Sequence, residues 1–228
     1  WYKIKHKAKK LIKNSLYSIS EFTTNEIKSF RIIANPGCYP TSIQLALIPL
    51  FKSKLIKNNN IIIDSKSGFS GAGKNFKNKF LQKNLMDSTF SYAVSGHRHM
   101  AELEQEFHKH LKLNLKYTFN PHVIPSFRGI LSSIYIEPKK GVTIKKIKKI
   151  LKKFYKNKPF VKILNQSKGI GTGNVINTNN CEISVCKTNQ KNRYVIFSTI
   201  DNLIKGASGQ AVQNMNLIYG LKETMGLK

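Results

Sequence analysis

Acidic side chains are scarce in this 228-residue chain, where 11 Asp and Glu stand against 39 Lys and Arg, giving a formal charge of +28 and a pI near 10.1. That imbalance is the electrostatic footprint of a nucleic-acid binder. Lys3, Lys5, Lys7, Lys9 and Lys10, or Lys145, Lys146, Lys148, Lys149, Lys152 and Lys153, would form such a patch. The lysines are nevertheless spread among Asn and Ile along the whole chain, and no nucleic-acid module signature accompanies them. They read as solvated faces in a composition set by A+T-rich mutational bias, and no nucleic-acid partner is expected. Cysteine is also scarce: Cys38, Cys181 and Cys186 make an odd set with no export signal, which argues against a disulfide framework and for reduced thiols. Apolar runs approaching the roughly 18 residues of a membrane span are missing, as are secretory and transit signals, so a soluble cytoplasmic protein is expected. No internal repeat occurs, and the length suits one large domain or one and a half.

The stretch Asn35-Pro36-Gly37-Cys38-Tyr39-Pro40-Thr41-Ser42 places a thiol between an apolar strand-like run, Phe30 to Ala34, and a helical pattern. Ile43, Ala46, Leu47, Leu50 and Phe51 recur at helical spacing, with Pro40, Thr41 and Ser42 as start signals, so a helix begins at the cysteine. A helix start carries unpaired N–H groups and partial positive charge, which favours thiolate over thiol and accommodates an oxyanion. Cys38 is therefore a candidate nucleophile, although a lone cysteine in a turn is more often a small buried hydrophobe.

Further along, Lys3 to Tyr17 reads as a basic helix, Ile61 to Ser65 as a buried strand, and Gly68 to Gly73 as a Gly-rich loop without P-loop lysine spacing. Phe90 to Val94 reads as a strand that delivers His97 and His99 to a helix from Met100 to Leu113, whose Leu103, Phe107 and Leu111 face the core. Two histidines two apart project from one side of an extended segment, with Glu102 close to His99, a convergence suited to acid–base work. A metal pair is the alternative, without further ligands at known spacing. Asn114 to Asn120 and Gly129 to Glu137 read as strands around a rigid loop, Pro121 to Arg128, whose Arg128 is either an anion clamp or a loop brace. Val142 to Tyr155 is an amphipathic helix, and Phe160 to Leu164, Glu182 to Cys186 and Tyr194 to Thr199 are strands. Cys181 and Cys186, five apart, point to opposite faces of theirs, and Lys205 to Tyr219 is a last helix. Strands outnumber helices, and the helices are too few to cover both faces of a large sheet. The fold expected is α+β, a mixed sheet with helices on one face.

The Cys38 stretch resembles the active-site segment of the N-acetyl-gamma-glutamyl-phosphate reductases. Ser67-Gly68-Phe69-Ser70-Gly71-Ala72-Gly73-Lys74, Gly96-His97-Arg98-His99-Met100-Ala101-Glu102 and Asp201-Asn202-Leu203-Ile204-Lys205-Gly206-Ala207 are similar to that family in the same order. Aspartate-semialdehyde dehydrogenases share the cysteine, the Ser-Gly-Ala-Gly loop and the late Asp-Asn-Leu segment, but usually lack the His-Arg-His-x-x-Glu run. They are the runner-up, ahead of a non-catalytic fragment or a basic nucleic-acid-binding module. The resemblance implies a glyceraldehyde-3-phosphate dehydrogenase-like catalytic domain over residues 38–202. Residues 1–37 would end a truncated Rossmann domain, and 203–228 would return to it as a C-terminal helix. No Gly-x-Gly-x-x-Gly turn precedes Cys38. The resemblance also implies NADPH-dependent reduction of an acyl phosphate to a semialdehyde through a Cys38 thioester, with His97 as the acid–base residue. His99, Glu102 and Arg128 fall on the substrate side, and Ser70, Gly71 and Asn202 near the nicotinamide of NADP. The implied partners are a small-molecule acyl phosphate and further copies of the chain, as a tetramer or dimer.

Overall fold

The computed structural model describes residues 5–73, 87–112 and 115–228; Lys3, Lys74, Leu113 and Asn114 lie outside them. Its β-branched runs form β1 (Ser15–Tyr17), β2 (Ile32–Ala34), β3 (Ile61–Gly68), β4 (Phe90–Ser91), β5 (Tyr117–Ile124), β6 (Ile130–Ile136), β7 (Val161–Ile163), β8 (Cys181–Lys187) and β9 (Tyr194–Ile200). Its helical patterns form a single turn α1 (Ser20–Thr23), then α2 (Cys38–Lys52), α3 (His99–Leu111), α4 (Ile144–Phe154) and α5 (Gly209–Tyr219). Strands β3 to β9 make one seven-stranded sheet ordered β4-β5-β3-β6-β9-β8-β7. β3 and β5 run parallel, as do β7 and β8, and the other neighbours are antiparallel. β1 and β2 form a separate parallel pair. The result is the mixed α+β sheet expected.

Helix α2 is buried from Tyr39 to Phe51, because it lies against β6 and β9 while α3 and α4 pack on it. Alternate residues Ile130, Ile134 and Ile136 of β6, with Ile196 and Ile200 of β9, share its core, the period-2 signature of a strand with one face buried. Polar groups in this interface are paired: the Ser132 hydroxyl lies 2.8 Å from those of both Ser42 and Ser65, tying α2 to β3 and β6. Helix α4 is capped by Thr143, whose hydroxyl accepts from the Lys146 N–H, and it buries Ile147 and Leu151. Lys145, Lys146, Lys149, Lys152 and Lys153 are exposed around it, so that basic run is a solvated face. On β8, Cys181 joins the helix-covered core, whereas Cys186 shares the other face with Ser184.

Three local expectations change. Among the described residues of the basic N-terminal stretch only Lys9–Asn14 is helical, as a 3₁₀ helix, and Ser15–Tyr17 is a strand because Leu16 buries while pairing with Ile33. Pro121 to Ile124 is not loop: the alternating burial of Phe119, Pro121 and Val123 carries β5 through the proline, leaving only the turn from Pro125 to Gly129. Strand β4 stops at Ser91 because Ala93 turns the chain at φ 44°, so His97 and His99 sit on a turn and a helix start, not an extended segment.

The N- and C-terminal parts are joined by a buried ion pair. The Lys205 ammonium donates to Glu21 Oε1 at 2.6 Å and to Gln213 Oε1 at 2.7 Å, and both charged side chains are fully buried. Lys205 lies in a π-turn, Ile204–Ser208, that leads into α5 and packs on α2.

Candidate active site

Cys38 is the first residue of α2, and the extended Gly37 before it contributes no side-chain cap. The Gly37 N–H donates to Glu102 Oε2 at 2.8 Å, so a carboxylate from α3 holds the chain entering the helix. Two close approaches fix the surroundings. A Cβ on Gly37 would lie 2.5 Å from His99 Nε2, and one on Gly206 would lie 2.6 Å from the Cβ of Cys38. Only glycines let the His99 ring and the π-turn approach the nucleophile this closely. Cys38 opens onto a cavity of about 310 Å³ shared with Tyr39, Ser67, Gly71, Tyr92, His97, Arg98 and His99.

The thiol is not the depressed one expected at a helix start. Burial pushes it up, and the N–H groups of Tyr39 and Cys38 pull it back without prevailing; Glu102 raises it and Arg98 lowers it, for a net value of about 11. Cys38 therefore rests as a thiol near neutrality, and its chemistry needs a proton acceptor.

Two imidazoles stand ready, with ring centroids 4.7 Å apart. Burial, with help from Arg98, lowers His97 to about 4; burial, then His97 and Arg98, lowers His99 to about 3. Both are neutral bases at pH 7. His97 Nδ1 accepts the His99 backbone N–H at 3.2 Å, capping α3, and its Nε2 lies 3.3 Å from the Tyr92 hydroxyl. Tyr92 donates to the Tyr39 hydroxyl, which donates to the His122 carbonyl. Among the described residues, His99 instead has a buried Nδ1 without a hydrogen-bond partner, and its Nε2 lies 3.9 Å from Glu102 Oε1.

Ser70, Gly71 and Asn202 come together: Asn202 donates to the Ser70 hydroxyl at 3.0 Å and accepts from the Gly129 N–H at 2.6 Å. Arg128 does not line the cavity. Its Nη1 donates to Asn177 at 2.6 Å and to the fully buried Asp201 at 3.2 Å, bracing the Pro125–Gly129 turn. Among the described residues, the exposed cation at the cavity is Arg98, which sequence reasoning passed over although it sits between the two histidines. Tyr92, Tyr39 and Ser67 were missed as well, and no spacing in the sequence marks them. Among the described residues no group of three or more His, Cys, Asp or Glu is placed to hold a metal ion, and no helix is long and apolar enough to cross a membrane.

Access ranks the thiols. Cys38 is half-buried, whereas Cys181 and Cys186 are buried and burial raises Cys181 to about 12. Substoichiometric iodoacetamide at mildly alkaline pH, followed by peptide mapping, should label Cys38 first; earlier labelling of Cys181 or Cys186 would contradict this geometry.

The chain is 44% identical over 228 residues to a protein of Oryza sativa subsp. japonica named probable N-acetyl-gamma-glutamyl-phosphate reductase, chloroplastic, covering all of this chain and 55% of that one. Proteins named N-acetyl-gamma-glutamyl-phosphate reductase from Afipia carboxidovorans and Clostridium botulinum are 43% and 44% identical over the whole chain, which covers 64% and 66% of them. The chain thus spans between about half and two-thirds of the length of these relatives. Aspartate semialdehyde dehydrogenase II of Vibrio cholerae shares the fold at 16% identity, with a TM-score of 0.71 over 91% of this chain and 69% of that one. The Francisella tularensis aspartate semialdehyde dehydrogenase gives 0.69 at 15% identity over 91% and 71%. The family model described as semialdehyde dehydrogenase, dimerisation domain, matches residues 38–202, and the chain belongs to that family.

Proposed function

We propose that this chain is the catalytic part of an N-acetyl-gamma-glutamyl-phosphate reductase, reducing that acyl phosphate to N-acetylglutamate semialdehyde in arginine biosynthesis. One observation carries the reading: a thiol at a helix start opens, beside two neutral histidines, onto a single cavity, in a chain similar along its whole length to proteins of that name. Cys38 passes its proton to an imidazole of the His97–His99 pair, and its sulfur attacks the acyl carbon. The N–H groups of Cys38 and Tyr39, the first two of the helix, are suited to hold the oxyanion that develops beside the sulfur. The carbon–oxygen bond to phosphate then breaks, phosphate leaves with its electron pair, and a thioester on Cys38 remains. Arg98, at the cavity, suits the phosphate or carboxylate of the substrate, while Arg128 serves through the turn it braces. The imidazole returns its proton to the Cys38 thiolate when the aldehyde departs.

The cofactor proposed is NADPH, which when bound supplies the hydride. Its nicotinamide end is proposed to meet Gly71, which lines the cavity beside Cys38, with the hydrogen-bonded Ser70 and Asn202 next to it. Ser70, Gly71 and Asn202 would hold it there. Residues 1–37 and 203–228 are proposed to belong with a nucleotide-binding domain, 38–202 to form the catalytic domain, and the working protein to be a cytoplasmic homo-oligomer, dimer or tetramer.

With N-acetyl-gamma-glutamyl phosphate and NADPH, this chain alone should oxidise no NADPH, and joining it to the N-terminal part of a relative should restore oxidation. Oxidation by the chain alone would show the cofactor site misplaced. Preference of the completed protein for beta-aspartyl phosphate would move the assignment to the aspartate-semialdehyde dehydrogenase branch.

A further inference from the structure

A second cavity, of about 580 Å³, opens at the far end of the sheet from Cys38. Ser67, on the wall of the Cys38 cavity, pairs with Ile130 at the start of β6, whereas the second cavity begins just past Ile136 at its end. The seven residues of β6 set the two apart by about 20 Å. The cations on its wall come from three places. Lys57 follows Ile56, which bridges to Pro138; Lys139 and Lys140 stand on the turn that leads to α4; Lys191 and Arg193 stand on the turn between β8 and β9. Both turns are braced from within. The Val142 N–H donates to the Lys139 carbonyl at 3.0 Å with Gly141 at φ 75°, and the Thr188 hydroxyl donates to the Arg193 carbonyl at 2.9 Å.

Among the described residues, the one carboxylate on this wall is Glu137, and it is fully engaged. Its Oε2 accepts from Lys57 at 3.0 Å, and its Oε1 accepts from Asn60 at 3.1 Å and Arg193 at 3.4 Å. Lys139, Lys140 and Lys191 are exposed, and among the described residues none of them forms an ion pair. A singly charged anion would gain little from such cations, because solvent and salt screen each exposed contact. Several charges on one compact molecule act together, since phosphates joined to one another reach both turns at once. The cavity's volume suits a small molecule. A single-stranded nucleic acid would need exposed aromatic platforms for its bases, and the tyrosine on this wall, Tyr194, is half-buried with its hydroxyl donating to the Val142 carbonyl. We propose that this cavity is a second binding site, for a compact polyphosphate such as a triphosphate chain, held by Lys139, Lys140 and Lys191 while Glu137 fixes Lys57 and Arg193 in the wall.

The test uses the 228-residue chain in roughly 0.15 M NaCl, where exposed charges more than about 8 Å apart are largely screened. Inorganic tripolyphosphate, titrated in a calorimeter, should bind saturably. The double variant Lys139→Gln with Lys191→Gln should weaken it by about tenfold. Lys149→Gln with Lys153→Gln removes the same charge from the exposed face of α4 and should leave the affinity within about twofold. No saturable binding, an equal loss in both double variants, or no loss in either would overturn the proposal. So would tighter binding of a single-stranded oligonucleotide that both pairs of substitutions weaken, the mark of an extended nucleic-acid face. Should the first double variant fail to fold, lysine acetylation of the wild-type chain decides. Tripolyphosphate should protect Lys139, Lys140 and Lys191 and leave Lys149 and Lys153 reactive; protection of both groups or of neither overturns the site.

Discussion

Cys38→Ser in the completed protein is expected to lower kcat by about 10⁴–10⁶-fold, the scale of losing a covalent nucleophile. The reason is specific to this site. A serine hydroxyl is far less acidic than a thiol, and burial at this position already pushes the sulfur to about 11, so a neutral imidazole cannot deprotonate the alcohol to any useful extent. The cavity loses one sulfur-to-oxygen change and nothing else, and Tyr39, Gly37 and Gly206 keep their contacts. Steady-state kinetics beside a thermal melt would check it. A kcat within tenfold of wild type, at unchanged stability, would mean that no thioester forms.

The largest stability effect is expected at Lys205. Burial raises the Glu21 carboxyl, but the Lys205 charge and hydrogen bonds from Lys205 and Gln213 outweigh it and hold the group below the usual carboxylate range. Lys205→Met leaves that carboxylate buried and unpaired, which costs about 3–5 kcal/mol, a large part of the roughly 5–15 kcal/mol that holds a typical domain together. A double variant, Lys205→Met with Glu21→Leu, should recover much of the loss, because no lone charge then remains. The pH sense follows from the depressed carboxyl: the pair contributes fully above the unfolded carboxylate pKa, and its contribution is lost as pH falls through the lower folded value. Urea denaturation of the three proteins at neutral and acid pH measures all of this; a single variant as stable as wild type would contradict it. Lys205 is adjacent to Gly206, the residue pressed on Cys38, so breaking the pair is also expected to disturb the surroundings of the thiol.

Local signals made the scaffold legible. The start of α2 at Cys38 followed from Pro40, Thr41 and Ser42 ahead of a helical apolar pattern, and β3, β6, β8 and β9 from β-branched runs near their observed bounds. The nearness of His97, His99 and Glu102 to one another was also readable, although they meet on a turn and a helix start and not on an extended segment. Ala93 turns the chain first, and a non-glycine residue at positive φ leaves no mark in composition. What stayed hidden depends on partners distant in sequence. Arg128 stayed open between an anion clamp and a loop brace because its tie to Asp201 is made only when the Pro125–Gly129 turn meets the end of β9. The raised thiol was equally unreadable, since a helix start alone argues for a low value and only the packing of Gly206, Tyr39 and the histidines around Cys38 supplies the burial that reverses it. The resemblance put Glu102 on the substrate side, and nothing in the His-Arg-His-x-x-Glu run reveals that Gly37 and Tyr17 donate to it.

Acyl transfer to Cys38 needs no nicotinamide, so the residues of this chain suffice to test it. Incubation with N-acetyl-gamma-glutamyl phosphate without cofactor, acid quenching and mass spectrometry of the peptides should show an N-acetylglutamyl thioester on the Cys38 peptide and a matching release of phosphate. An intact chain with no adduct, or an adduct on Cys181, Cys186 or a lysine in its place, would contradict the assignment of Cys38 as the nucleophile.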